Sequence, residues 1–330
     1  MNKGLSSSAL YYPYIEVPKS PWFTRVLLYW DKVGAIVPYQ YIQDPDKLGS
    51  YMVGLVREQL VEQVIPGQYL WRVENFGRAF LDYIDTQTIK AEYRSSWPKV
   101  HMEKLQNVGD ELCKRGLAKK QGGNYSPWYR VELRTAAMFM AYLASVLGQI
   151  ANEKFYPITE PENLSPFINE TARSPLRTRK IILDAILPAP SQAIEPARLA
   201  DFKAAHKQEL KRFRLEVEDK ISELSTIQRK RDRDRRSRDI AEKLRPQIDE
   251  LASRMREAKK WPKIGFADFC AVVGSGLSTW KAVHDHDLVF GLTGVTVSLA
   301  PVVYNAFRGS DLKLTDRPLA YAASAKLAFD

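Results

Sequence analysis

Cysteine and histidine are scarce in this 330-residue sequence, with two of the first, Cys113 and Cys270, and four of the second. The cysteines stand far apart and form no CxxC pair, so neither a thiolate zinc site nor a disulfide framework is indicated, and a reducing cytoplasm fits best. No GxSxG, GxxxxGKS/T or CxxC…CxxC pattern occurs, which leaves nucleophile-elbow, P-loop and zinc-ribbon chemistry without support. The opening MNKGLSSSALYYPYIEVP has no continuous apolar run before Pro13, unlike a cleaved signal peptide. Repeats of solenoid period are also missing. With no motif for catalysis and no cofactor implied, an interaction protein is expected rather than an enzyme.

What is present is charge. Lys and Arg outnumber Asp and Glu by 49 to 39, a net charge of +10, and such an excess favours phosphate or anionic lipid as a partner. The length suggests two domains. A polar passage with several prolines, Asn152 to Arg179, places the boundary near residue 170, giving 1–170 and 171–330.

In the first part, residues 9–17 (ALYYPYIEV) read as a strand, with Pro13 arguing for an edge or a bulge. A helix follows with Ser20 as N-cap and Pro21 just inside it, Trp22, Val26, Tyr29, Trp30 and Val33 on one face, and Gly34 closing it. Ala35–Tyr39 suits a short strand, and further helices are expected from Asp46 and over 70–85 and 99–115. Residues 110–147 outline helix, hairpin, helix, as in winged helices. A DNA-reading role would need Lys114, Arg115, Lys119 and Lys120 facing outward, whereas the same outline also serves scaffolds.

In the second part, Lys180–Leu187 (KIILDAIL) is a buried-strand candidate. From Pro196 onward a helical stripe runs through Leu199, Phe202, Leu210, Phe213, Val217, Ile221, Leu224 and Ile227 and resumes at Ile240, Leu244, Ile248, Leu251 and Met255. Between the two stripes lies RKRDRDRRSR, with seven basic and two acidic residues. Arg229, Lys230, Arg231, Arg233, Arg235, Arg236 and Arg238 are thus candidates for binding nucleic-acid phosphate, anionic lipid or an acidic partner. The alternative is a solvated tip of a long helical hairpin or coiled-coil arm, with Asp232 and Asp234 pairing locally. No aromatic interrupts the run, so it offers no stacking platform for bases.

Two apolar segments follow, 264–283 and 288–307, the second uncharged over its whole length. That length spans a bilayer, but Gly291, Gly294, Pro301 and Asn305 suit a soluble apolar helical hairpin better, so a membrane-acting effector at the inner membrane stays an alternative. His284, Asp285, His286 and Asp287 are the nearest approach to a metal motif, but four alternating polar side chains in a short stretch point in different directions and read better as a polar turn between the apolar segments.

Three stretches carry a resemblance: LYYPYIEVPKSPWFTRVLLYWDKVGAIVP, MAYLASVLGQIANEKFYPITE and ILPAPSQAIEPARLADFKAAHKQELKRFRLEVE. Together they resemble an uncharacterised bacterial family, the domain of unknown function numbered 6236, over most of residues 9–220. Tyr11, Tyr12, Pro13, Trp22, Trp30, Val37 and Pro38, then Glu209, Leu210, Phe213 and Arg214, match its motifs. The resemblance implies a bacterial accessory gene of mobile or phage-defence loci and no activity. Where relatives would often read TD after a strand, this chain has Thr159 and Glu160, which weakens an acidic-site nuclease or other hydrolase.

The expectation is therefore a mainly α protein with a small β component. It would act as a non-enzymatic interaction or scaffold protein through oligomerisation or partner docking, with nonspecific polyanion contact.

Overall fold

A computed structural model describes residues 8–89, 94, 96–122, 126–152, 154–160, 170–190, 192–260 and 314–330. The apolar segments 264–283 and 288–307, and His284, Asp285, His286 and Asp287 between them, lie outside the described residues. The fold is α+β and mainly α. Its elements run β1 (Ser8–Tyr11), α1 (Pro21–Tyr29), β2 (Lys32–Ile36), α2 (Gln40–Gln43), α3 (Ser50–Arg57), β3 (Val61–Val64), α4 (Phe76–Asp85), β4 (Lys99–His101), α5 (Met102–Leu105) and α6 (Val108–Lys114). They continue with β5 (Ala118–Lys120), β6 (Trp128–Val131), α7 (Leu133–Ile150), β7 (Phe155–Ile158), α8 (Glu170–Ile186), α9 (Pro196–Ala205), α10 (Lys207–Ser225), α11 (Lys230–Lys260) and α12 (Ala320–Phe329).

Four strands form a parallel sheet in the order β3-β2-β1-β7. Alternate side chains enter opposite faces, as the period of two requires. Ala9, Tyr11, Val33, Ala35 and Val37 pack against α1, α3 and the helices from α8 onward. Leu10, Tyr12, Ile36 and Val64 pack against α4, α6 and α7. β1 is thus a central strand and not an edge, and Pro13 escapes the ladder by standing two residues beyond its end. Gly34 sits in β2 rather than closing α1, because Trp30 already caps the helix in extended conformation. A Cβ at Gly34 would come within 2.9 Å of Leu10, 3.0 Å of Val64 and 3.1 Å of Phe155, so any larger residue there must push side chains of the second core aside. The start of α1 is as expected, with the Ser20 hydroxyl accepting from the Phe23 N–H at 3.2 Å and Pro21 inside the first turn.

Between β3 and β7 the chain builds a second unit. α4, β4, α5, α6, β5 and β6 follow in winged-helix order, with β4-β6-β5 as its antiparallel sheet. Residues 99–115 are therefore a strand and two short helices, not one helix. α7 then returns under both units. Gly148 lets its last turn approach β7, where a Cβ would meet the Phe155 carbonyl oxygen at 2.6 Å.

The passage Asn152–Arg179 is more than a linker, since it supplies β7 and the first half of α8. Lys180–Leu187 is the end of that helix and not a strand. Its buried residues Ile182, Leu183, Ile186 and Leu187 recur with helical spacing. α10 and α11 carry the expected apolar stripes, separated by a turn at Thr226–Arg229. Leu210, Phe213, Val217, Ile221 and Leu224, then Leu244, Ile248, Leu251 and Met255, join the core of β1 and β2. α8 and α12 pack on both long helices. The stripes are thus covered by the chain's own body, and residues on either side of position 170 share one core.

Candidate functional site

The basic run opens α11. Arg229, Lys230, Arg231, Arg235, Arg236 and Arg238 are exposed there. Positions 231, 235 and 238 fall on one helical face. With Arg229 and Asp232 they line an open hollow of about 600 Å³. The side chains of Arg229, Lys230, Arg231, Arg235 and Arg236 have no hydrogen bond or ion pair to another described residue. The first turn of a 31-residue helix adds the positive end of its dipole.

Arg233 behaves differently from its neighbours. It is 6% exposed, and its guanidinium donates to the Ile227 carbonyl at 2.9 Å, closing the turn between α10 and α11. Asp234 does not pair with a neighbouring arginine side chain. Its carboxylate accepts from Arg177 of α8 at 3.1 and 2.9 Å, while Arg238 Nε reaches only its backbone oxygen at 3.2 Å. The sequence spacing overlooked the Asp234 pair because α8 was not expected beside the run, and the Arg233 contact because it reaches back to a carbonyl of the preceding turn.

Among the described residues no group of three or more His, Cys, Asp or Glu is placed to hold a metal ion. The winged unit spends its cations internally. Lys114 Nζ binds Glu111 at 2.6 Å, and Arg115 binds Asp85 at 2.8 Å and Glu111 at 3.0 Å. Lys120 lies over the Tyr129 ring. α6, the helix that would read DNA, also carries Asp110, whose carboxylate accepts from Tyr129 Oη at 2.7 Å. An acidic, internally paired helix opposes entry into a phosphate-lined groove.

The motif residues of the resemblance hold the core together. Tyr11, Trp22 and Phe23 pack as an aromatic cluster, and Phe213 meets Tyr29 and Tyr321. Arg214 pairs with Asp31, and Lys203 donates to the carbonyls of Leu27, Trp30 and Asp31 at 2.8, 2.6 and 3.0 Å, ending α1. Burial pushes the Lys203 ammonium down to about 7, with Asp31 opposing that shift. Arg179 lies over the rings of Trp30 and Tyr156 and pairs with Glu218, which also accepts from Tyr29 Oη at 2.6 Å.

One further place is missed by sequence reasoning, the carboxyl edge of the parallel sheet. α5 lies across it. The Glu103 carboxylate accepts from the Tyr39 N–H at 2.9 and 2.8 Å, just past β2, and Lys104 Nζ donates to the Pro13 carbonyl at 3.2 Å, just past β1. Burial pushes Lys104 down to about 7. His101 Nδ1 accepts from the Glu103 N–H at 3.2 Å, and burial together with the nearby Lys104 lowers its pKa to about 4. Thr159 and Glu160 stand at the end of β7 on the same edge. The order β3-β2-β1-β7 makes the gap between β1 and β7 the point where crossovers change face, the usual ligand crevice of an open parallel sheet. No glycine-rich turn follows β1, so the dinucleotide form of that crevice is absent here.

No family model matches the chain, and no curated protein or solved structure matches it either. Of the described helices, α7 alone is long and apolar enough to cross a membrane. Its buried residues fill the core between the winged unit and the sheet.

Proposed function

We propose that this chain is an interaction protein of a bacterial accessory system, of the phage-defence kind that its family resemblance implies, and that it contacts polyanions without sequence preference through the start of α11. The observation that carries the reading is the hollow where Arg229, Arg231, Arg235 and Arg238 converge around a single acid, Asp232. Guanidinium groups suit bidentate contact with phosphate oxygens, and an exposed array of them releases counterions on binding. Lys230 and Arg236 widen the field, whereas Arg233 serves the turn. The face has no ring to stack a base and no donor pattern to read one, so it favours charge over sequence.

The test is fluorescence anisotropy with an arbitrary duplex at several salt concentrations. Four phosphate contacts give a slope of log K against log salt of roughly −3.6. Arg231→Glu with Arg235→Glu should flatten that slope by about 2 or more, counting one lost contact per arginine. A slope near zero for the unaltered protein would remove the reading.

A further inference from the structure

We propose that the carboxyl edge of the parallel sheet docks the arginine face of a second copy of this chain. The proposal rests on that face being available, as in the polyanion reading. Seven large hydrophobic side chains are exposed among the described residues, and four of them gather at this edge: Tyr14, Tyr39, Trp71 and Met102. Tyr14 follows β1, Tyr39 follows β2, Trp71 follows β3, and Met102 opens α5. α5 ties them into one surface. Lys104 holds the Pro13 carbonyl beside Tyr14, and Glu103 holds the Tyr39 N–H. α5 packs on the turn Pro66–Gln68, and the Trp71 indole N–H donates to the Gln68 carbonyl at 2.9 Å. That bond fixes a ring that is 76% exposed.

The chemistry of the edge is aromatic and acidic. Glu16 follows β1, Glu103 lies in α5 beside Tyr39 and Glu160 follows β7, all on this edge, and Glu160 has no hydrogen bond to another described residue. Cations already lie over rings in this region, with Arg72 5.2 Å from the Trp71 centroid and Lys19 5.4 Å from that of Tyr51. A surface of Tyr, Trp and Met with carboxylates beside them suits incoming guanidinium groups, which stack on the rings and pair with the acids. It also has the composition of an interface centre rather than of ordinary surface. In a chain of net charge +10, the complementary partner on the page is the exposed row Arg229, Lys230, Arg231, Arg235, Arg236 and Arg238. Because the two surfaces lie on different elements, the contact is head-to-tail, and each copy offers one of each.

Sedimentation velocity on the full chain at low salt tests this with two variants, a face variant (Arg231→Glu with Arg235→Glu) and an edge variant (Tyr39→Ala with Trp71→Ala). All four positions are exposed, and circular dichroism checks that both variants fold. The unaltered protein should associate as concentration rises and separate as salt is added. Each variant alone should stay monomeric, since neither keeps both halves of the contact. An equimolar mixture should form pairs and nothing larger. A monomeric unaltered protein at low salt, an edge variant that assembles like the unaltered protein, or a mixture that forms no pairs would each overturn the proposal. So would loss of single-stranded oligonucleotide binding in the edge variant alone, which would assign the rings to nucleobases. Duplex binding separates the two readings, because the edge variant keeps the arginine face, freed from self-association, and should bind duplex at least as tightly as the unaltered protein does. Assembly without any duplex binding would end the polyanion reading and leave this one standing.

Discussion

The Arg179 guanidinium donates two hydrogen bonds to the Glu218 carboxylate, Nε to Oε1 and Nη2 to Oε2 both at 2.8 Å, with both side chains removed from solvent. Burial works against the charge on each. The mutual pairing nevertheless holds Glu218 below the usual carboxylate range and Arg179 above the usual guanidinium value. The pair joins α8 to α10 beneath Trp30 and Tyr156. Arg179→Met alone should strand the Glu218 carboxylate and lose about 3–5 kcal/mol, read from urea denaturation. Arg179→Met with Glu218→Leu should recover much of that loss. A double variant as unstable as the single one would show that shape, and not the stranded charge, sets the cost.

Gly34→Val should destabilise the chain by about 1–3 kcal/mol through overpacking, although valine favours strands. The added carbons would press on Leu10, Val64 and Phe155, one from each of the other three strands of the sheet. Thermal denaturation reads the effect. An unchanged or raised midpoint would mean that the strand preference wins.

Lys104 gives stability a pH dependence whose sign can be worked out. Its pKa is about 7 in the folded chain against 10.5 for the ordinary group. Between those values the unfolded chain holds a proton that the folded chain lacks, so stability from this group rises with pH from about 7 to about 10.5. Below 7 both states are protonated and the burial penalty is full. Lys104→Met should therefore compare best with the unaltered protein at pH 6.5 and progressively worse at pH 8 and 9.5, as urea midpoints would show. Lys203 shifts in the same direction and is present in both proteins, so the difference isolates Lys104. A difference that does not change with pH would refute the assignment.

Asp232→Asn should tighten binding of a phosphate polymer by about two- to fivefold at low salt, since one exposed charge among the arginines is worth about 0.5–1 kcal/mol. The gain should fade as salt rises. Stability should fall by only about 0.3–1 kcal/mol, because Asp232 stands in the first turn of α11 where a carboxylate suits the helix dipole. Weaker binding would place the phosphate elsewhere.

The sequence spelled out the parts governed by local chemistry. Ser20 and Pro21 announced α1, the stripes from Leu210 to Met255 announced α10 and α11, and the arginine run stood out by composition alone. The sheet was harder to see. β3 (VEQV) and β7 (FYPI) are four residues long, and a proline sits in the second. Their identity comes from pairing with β2 and β1, which no local window contains. KIILDAIL was misread because an eight-residue apolar run satisfies strand and helix templates alike, and Asp184 reveals itself only by its 2.8 Å contact with Arg25 of α1. Glu103 and Lys104 carry no pattern. Their roles arise from α5 crossing the ends of strands that are distant in sequence.

The placement of β7 has a consequence for synthesis of the chain. β1 pairs on one side with β2, two dozen residues later, but on the other with Phe155–Ile158, which emerges only after the whole winged unit. Until then Ser8–Tyr11 presents an unpaired, apolar edge, the form of backbone most prone to join another chain. The winged unit and α7 thus act as a timer on closure of the sheet. A fragment ending at residue 150 should scatter light on standing where one extending through β7 and α8 stays clear.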